Sequence, residues 1–257
     1  MSTDSEHLGV RGLKVAYGDF VLMRDVSFSI RRGDIFVIMG GSGCGKSTLL
    51  KVLVGLKSPD EGQVLYEGQS LWQADAGARR DMLRKTGMLY QSGALWSSLS
   101  LAENVALPLE QYTSLNKKEI RELAEFKLAL VGLAGFADFY PSEISGGMRK
   151  RAGLARAMAL DPEILFFDEP SAGLDPVSAY LLDELILEIR ESLDATVVLV
   201  THELPSIFAI GTNSIFLDVS RRTMTASGNP KTLLNTSDDP ALIRFLTRGQ
   251  GHVQEVR

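Results

Sequence analysis

An α/β fold is the expectation for this 257-residue chain, and three observations carry it. Residues 35–39, 164–167 and 196–200 are short, almost uninterrupted apolar runs, the pattern of strands buried on both faces. Segments of helical period stand between them; the one opening at Pro176 puts Leu182, Ile186, Ile189 and Leu193 on one face. The first apolar run passes through Gly40-Gly41-Ser42-Gly43-Cys44-Gly45-Lys46-Ser47-Thr48 into a second apolar segment, giving the order strand, glycine loop, helix.

Taken in order, residues 10–16 and 21–30 read as strands joined at Tyr17-Gly18-Asp19. Val26, Phe28 and Ile30 alternate with Asp25, Ser27 and Ser29, which marks the second strand as half-buried. After the glycine loop a helix ends near Gly55, with Pro59 close behind. Residues 64–66 and 70–72 are short strands, 79–85 a helix and 87–90 a strand. From Gln91 to Ala159 strand signals vanish. Residues 101–109, 117–131 and 147–160 carry helical period, broken at Pro108, Gly132 and Pro141, and form a helical subdomain (about 92–160) inserted into the α/β core. The core resumes at 164–167, continues through the helix from Pro176, strand 196–200 and a short helix at 204–210, and ends with strands 214–219 and 223–226. A small helix opens at Pro230. Residues 8–235 are the expected domain and 236–257 a C-terminal tail, with an amphipathic turn or two at 240–246.

Composition narrows the class. An apolar fraction of 45% with 23% charged residues belongs to a globular chain with a buried core. Lys+Arg 27 against Asp+Glu 32 leaves a formal charge of −5, which disfavours a nucleic-acid partner, since phosphate backbones reward a basic face. A single cysteine excludes an internal disulfide. The segment Met1-Ser2-Thr3-Asp4-Ser5-Glu6-His7 is polar and acidic, unlike a secretory leader, and no stretch is apolar for the length a bilayer requires. The expectation is a cytoplasmic chain; at a membrane, a partner would supply the span.

The glycine loop satisfies G-x-x-x-x-G-K-[ST] with Gly40, Gly45, Lys46 and Ser47, in the strand–helix setting that the motif requires. Glycines let the backbone curl so that consecutive N–H groups point at phosphate oxygens, and the helix near Lys46 adds its positive end. Lys46 can reach β- and γ-phosphates, and the Ser47 hydroxyl can ligate Mg²⁺. The fold expectation sharpens to a P-loop NTPase (RecA-like) core with an antiparallel β subdomain and the inserted α-helical one. Asp168-Glu169 closes the 164–167 run, a strand able to run parallel beside the phosphate-loop strand. Asp168 would hold Mg²⁺ through its water shell, and Glu169 would polarise the attacking water or accept its proton. Ser145-Gly146-Gly147-Met148 offers a serine N-cap and bare glycines at a helix start. Asp175-Pro176 has the same logic of N-cap and first-turn proline. His202 follows strand 196–200, where a neutral imidazole could touch a γ-phosphate. Cys44 lies near Lys46 and a helix N-terminus, both of which favour thiolate; the plainer reading is a small residue facing away from nucleotide.

In this order and spacing the set resembles the ATP-binding subunit of an ABC transporter, over about Leu8 to Ala226. The resemblance implies ATP and Mg²⁺ as ligands, and further roles. Tyr17 would stack on adenine. Gln91 would contact Mg²⁺ and sense a membrane partner. Ser145, Gly146 and Gly147 would bind the ATP held by a second copy, so that active sites form only across a homodimer, and Asp175 would couple the two sites. Ile144 and Met148 depart from the usual L-S-G-G-Q signature. Together with Gln91-Ser92-Gly93-Ala94-Leu95-Trp96 and Glu103-Asn104-Val105-Ala106-Leu107-Pro108-Leu109, the stretch from Ser145 to Ala152 is similar to ATPases of the bacterial Mla and Mce lipid-transport systems. That similarity implies phospholipid cargo, a polytopic permease docked between Gln91 and Leu109, a membrane-anchored Mce-type substrate-binding protein and, in some systems, a STAS-domain regulator. It also implies a place on the cytoplasmic face of the bacterial inner membrane. Ala94, Leu95, Trp96, Leu99 and Leu101 read equally as subdomain core or as an exposed groove for a permease helix. A transporter of amino acids, metals or drugs stays open as an alternative. So does a soluble ABC-type ATPase of DNA repair or of a regulatory complex, although the chain has no long insertion between phosphate loop and signature, as the repair branch tends to have.

Overall fold

The computed structural model describes residues 6–249, in two compact units: residues 6–79 with 198–249, and residues 80–197. The first unit holds β1 (Glu6–Tyr17), β2 (Phe20–Arg31), β3 (Ile35–Gly40), α1 (Lys46–Leu53), β4 (Glu61–Tyr66) and β5 (Gln69–Ser70). The chain passes through α2 (Ala76–Arg84) into the second unit, which holds β6 (Thr86–Leu89), α3 (Leu101–Tyr112), α4 (Lys117–Leu130), a 3-10 turn at Pro141–Glu143, α5 (Gly146–Ala157), β7 (Ile164–Asp168) and α6 (Pro176–Leu193). It returns along β8 (Thr196–Val200) to α7 (Leu204–Ile210), β9 (Asn213–Asp218), β10 (Thr223–Ser227), α8 (Pro230–Thr236) and α9 (Pro240–Leu246). Strand order is β2-β1-β4-β5 in one sheet and β10-β9-β3-β8-β7-β6 in the other.

In the first unit, β1 is antiparallel to both β2 and β4, and Leu8, Val10, Leu13 and Val15 are fully buried along it. The hairpin is longer than its hydrophobic alternation implied, because pairing runs from Glu6↔Arg31 to Tyr17↔Phe20, and backbone hydrogen bonds recruit polar residues at both ends. Every side chain of β3 from Ile35 to Met39 is inaccessible to solvent, and the Phe36 ring stacks on Phe28 of β2 at 5.2 Å. β9 lies parallel to β3 in the register Gly40↔Leu217. The start of the expected tail belongs to this unit: Leu242 and Leu246 of α9 are buried, and Phe245 packs 5.5 Å from Phe216 of β9. The rest of that tail, from residue 250, lies outside the described residues.

Between β6 and β7 the described residues contain helices and no strand, as expected of an inserted helical segment. α3 is the exception in detail: it runs through Pro108 to Tyr112. Proline removes one backbone donor, but Val105 and Leu109 are buried where α3 meets α4 and α5, and a Ser100/Glu103 capping box starts the helix. Packing of the apolar face outweighs one lost bond.

Asn104, fully buried on α3, holds the loop before it. Its Oδ1 accepts from Trp96 N at 2.7 Å, and its Nδ2 donates to the carbonyls of Trp96, Leu99 and Ser100 at 3.1, 3.1 and 2.9 Å. Asn104→Ala should lower the unfolding free energy by about 2–4 kcal/mol, because buried backbone groups lose their partner. Urea unfolding checks this; a loss below about 0.5 kcal/mol would mean that water replaces the amide.

Candidate nucleotide site

The phosphate loop is shaped by positions that admit no side chain. Gly40 has φ +153°, and a Cβ there would lie 2.5 Å from Cys44 Sγ and 2.7 Å from Leu217 O. Gly45 has φ +96°, and its Cβ would lie 2.7 Å from Met23 Cε. Conformation demands glycine at both positions, and at Gly40 the Leu217 carbonyl leaves no room for a side chain as well. At Gly41 and Gly43 a Cβ would meet nothing within 4 Å, so there the bare backbone is open to approach. Gly45 is the N-cap of α1, with no capping side chain and no acidic residue in the first turn, so the helix's positive end is not neutralised locally. The Lys46 ammonium donates to Gly40 O at 2.9 Å and Gly41 O at 3.1 Å, folded over the same loop. Ser42 and Ser47 are exposed and Thr48 is half-buried.

Cys44 behaves otherwise than its neighbours suggest. Its side chain is only 4% exposed, with the sulfur against Gly40, and burial pushes the thiol pKa up despite the opposing effect of Lys46. The thiolate reading is therefore overturned by desolvation, and what Cys44 offers a ligand is backbone. Tyr17 ends β1 with its ring about half exposed, and the Lys57 ammonium sits 4.5 Å from the ring centroid. Across the hairpin, exposed Phe20 carries the Arg222 guanidinium over its face at 4.8 Å. His202 follows β8 with an exposed imidazole, Nε2 3.7 Å from Glu203 Oε1.

In the second unit β6 and β7 run parallel with Leu89 opposite Phe167, so Gln91 and Glu169 each leave the same sheet edge two residues beyond a registered pair. Carboxyl ends of parallel strands are where such folds gather ligands. Asp168 closes β7 half-buried. Glu169 has φ +51°, a left-handed conformation that non-glycine residues rarely adopt and that clusters at functional positions. Ser145 caps α5, its Oγ accepting from Met148 N at 3.2 Å, with Gly146 and Gly147 in the first turn. Asp175 caps α6: Oδ1 accepts from Val177 N and Ser178 N at 3.1 and 3.0 Å, and Oδ2 from Ser178 Oγ at 2.5 Å. The Ser178 bonds lead in holding its carboxyl below the usual range. Ser145, Gly146, Gly147 and Asp175 line one cleft of about 680 Å³, along with Leu181 and Arg151; Gln91, Asp168 and Glu169 do not line it.

The segment after Gln91 divides. Leu101 is core, whereas Trp96 is 63% exposed and Ala94 is exposed too. Arg156 of α5 ties to this segment, donating to Gly93 O at 2.9 Å and Ala94 O at 2.7 Å. Neither Arg156 nor Asn104 was legible as a tie, since their partners carry no side-chain signal. Asp168 and Gln91 of the second unit offer oxygen, and so does Ser47 of the first, the donor type that a hard divalent cation prefers.

A glycine cradle at the end of a parallel strand, with a lysine folded over it at an uncapped helix start, defines a P-loop nucleoside-triphosphate-binding protein of the α/β class. The chain belongs to the ABC transporter family, whose model matches residues 23–172. It is 41% identical over 92% of its length to the probable ribonucleotide transport ATP-binding protein Mkl of Mycobacterium tuberculosis, of which it spans 65%. It is 38% identical, again over 92% of its length, to the intermembrane phospholipid transport ATP-binding protein MlaF of Haemophilus influenzae, spanning 89% of that protein. Among solved structures, CbiO1 of Clostridium perfringens, part of the CbiONQ ABC transporter complex, superposes with a TM-score of 0.81 at 25% identity, covering 95% of this chain and 96% of that one. The dimeric ATP-binding cassette MJ0796 with ADP and Pi gives 0.78 at 28% identity, covering 86% and 98%.

Maleimide should modify Cys44 in the folded protein more slowly than a free thiol at neutral pH, and the rate should rise only above the free-thiol range, because burial favours the protonated form. Urea should restore the ordinary rate. Fast labelling of folded protein at neutral pH would mean that the loop exposes the sulfur.

Proposed function

We propose that this chain is the ATP-hydrolysing subunit of a transporter that moves phospholipids through a partner permease, serving outer-membrane lipid homeostasis from the cytoplasmic face of a bacterial inner membrane. The phosphate loop carries the ATPase part, because its glycines, lysine and uncapped helix make a cradle for a triphosphate. The cargo rests on the MlaF relatives, with the segments around Gln91 and Ser145 in support. Residues 8–235 are taken as the ATP-binding domain, with 92–160 its helical subdomain.

In this reading the backbone from Gly40 to Thr48 and the Lys46 ammonium hold the phosphates, and Tyr17 offers adenine its ring. Mg²⁺, when bound, neutralises charge on the β- and γ-phosphate oxygens, with Ser47, Gln91 and Asp168 as its ligands. Glu169 orients a water for attack on the γ-phosphorus and takes its proton as the bond to the bridging oxygen breaks, while His202 hydrogen-bonds the γ-phosphate. Ser145, Gly146 and Gly147 of a second copy complete each site, and Asp175 links the two. Trp96, exposed beside Gln91, is the anchor for the permease; a STAS-domain regulator and an Mce-type binding protein are further partners. No helix of the described residues is long and apolar enough to cross a membrane, so the permease provides the span. A second reading keeps the ATPase and changes the cargo, since the Mkl relatives are named for ribonucleotide transport.

Glu169→Gln should bind Mg-ATP yet hydrolyse it roughly 10²–10⁴-fold more slowly, because the amide keeps the shape but cannot take a proton. Sedimentation should then show an ATP-dependent dimer. Normal turnover by the mutant would remove Glu169 from the chemistry.

Trp96→Ala should leave nucleotide affinity intact and weaken the detergent-solubilised permease complex by about 2 kcal/mol or more, the usual worth of a central aromatic anchor. Phospholipid should copurify with the wild-type complex. Undiminished binding would take Trp96 out of the interface, and a ribonucleotide-uptake defect with an intact envelope in a deletion strain would favour the second cargo.

A further inference from the structure

Lys150 lies one turn into α5, after Ser145-Gly146-Gly147-Met148-Arg149, and is 6% exposed, although lysine is rarely buried without a partner. Its ammonium donates to the carbonyl of Ala172, 22 residues on. Ala172 sits in the turn between Glu169 and Asp175: its own N–H bonds Glu169 O at 3.2 Å, and Leu174 N bonds Ser171 O at 3.0 Å. Lys127, the other buried lysine of this unit, pairs directly with the Asp161 carboxylate, a self-sufficient structural ion pair. Lys150 is placed differently, with a main-chain acceptor in the turn that carries Glu169 in its strained left-handed conformation.

We infer that Lys150 is a positioning residue for Glu169: from the helix that carries Ser145, Gly146 and Gly147, it fixes the Glu169–Asp175 turn through the Ala172 carbonyl. The inference rests on the reading of Glu169 as the base. Burial pushes the Lys150 pKa down and the Glu169 carboxylate opposes that shift, so the two groups feel each other's charge. Removing the ammonium releases the turn and lets the carboxylate leave its attacking-water geometry, and small misplacements of a reacting group are costly.

Lys150→Met keeps the side-chain volume and removes the charge. It should lower kcat on the order of tenfold to a hundredfold while KM and Mg-ATP affinity stay within about threefold, the pattern of an interaction that matters only in the transition state. Lys150→Arg should retain most of the turnover. Added to Glu169→Gln, Lys150→Met should cost nothing further, because both act through one carboxylate. Wild-type kcat in Lys150→Met, an additive loss in the Glu169→Gln background, or an arginine variant as slow as the methionine one would each overturn the inference. If thermal melting shows Lys150→Met unfolded, the comparison of Lys150→Arg with Lys150→Gln decides: equal rates overturn it, and a slower glutamine variant supports it. Normal turnover by Glu169→Gln alone would instead overturn the assignment of the base, and is read before any Lys150 variant.

Discussion

The phosphate loop turns through glycines because neighbouring strands crowd the space where side chains would otherwise stand. Gly40 is pressed by Leu217 of β9 and Gly45 by Leu22 and Met23 of β2, so two strands from different parts of the chain mould a loop belonging to a third. Both glycines sit at positive φ, where any other residue would add strain to overlap. Once the loop has that course, the rest follows from elementary electrostatics. The N-cap is a glycine, so no side chain competes for the first-turn donors, and Lys46 bonds the carbonyls of Gly40 and Gly41 in the loop itself. Cys44 fills the space beside Gly40, which explains why its thiol is buried in a loop otherwise open to solvent.

The second unit depends in a similar way on α5. Gly153 and Gly93 approach so closely that a Cβ on Gly153 would lie 2.9 Å from Gly93 O, and one on Gly93 would lie 2.8 Å from Arg149 O. Arg156 adds hydrogen bonds to Gly93 and Ala94, and Lys150 reaches the Ala172 carbonyl from the same helix. One helix is therefore pinned at its back to the segment after Gln91 and at its front to the turn after Glu169. Residues 91–96, α5 and that turn are thus joined by one contiguous set of contacts. Lys150 is the member of that set that meets the turn, at the Ala172 carbonyl.

Much of this was legible in the order of residues because the signals are local. A glycine loop between an apolar strand and a helix, an N-cap at Ser145 and another at Asp175, and the end of a strand at Asp168 are each decided within a few residues. Strand limits were less legible: β1 begins at Glu6 and β4 at Glu61, where backbone pairing with distant partners, not hydrophobic alternation, sets the ends. Pro108 misled for the converse reason, since its local penalty is outweighed by burial of Val105 and Leu109. Lys150, Arg156 and Asn104 escaped notice because each acts on main-chain carbonyls, which carry no identity in the sequence. Cys44 was ambiguous until its depth was known, because charge proximity and desolvation move a thiol in opposite directions.

The cleft beside α5 shows how two similar helix starts can differ in what they attract. Ser145 and Asp175 both cap helices that open onto it. Asp175 brings a full negative charge, and both of its oxygens accept bonds from Val177 and Ser178 of its own helix, so that N-terminus is neutralised and would repel an anion. Ser145 is neutral, its Oγ accepts from Met148 N, and the two residues between them are glycines whose amides no side chain shields. In the proposed reading, it is therefore the start of α5, and not that of α6, that draws a phosphate. The asymmetry resides in a single choice of capping residue, serine on one helix and aspartate on the other.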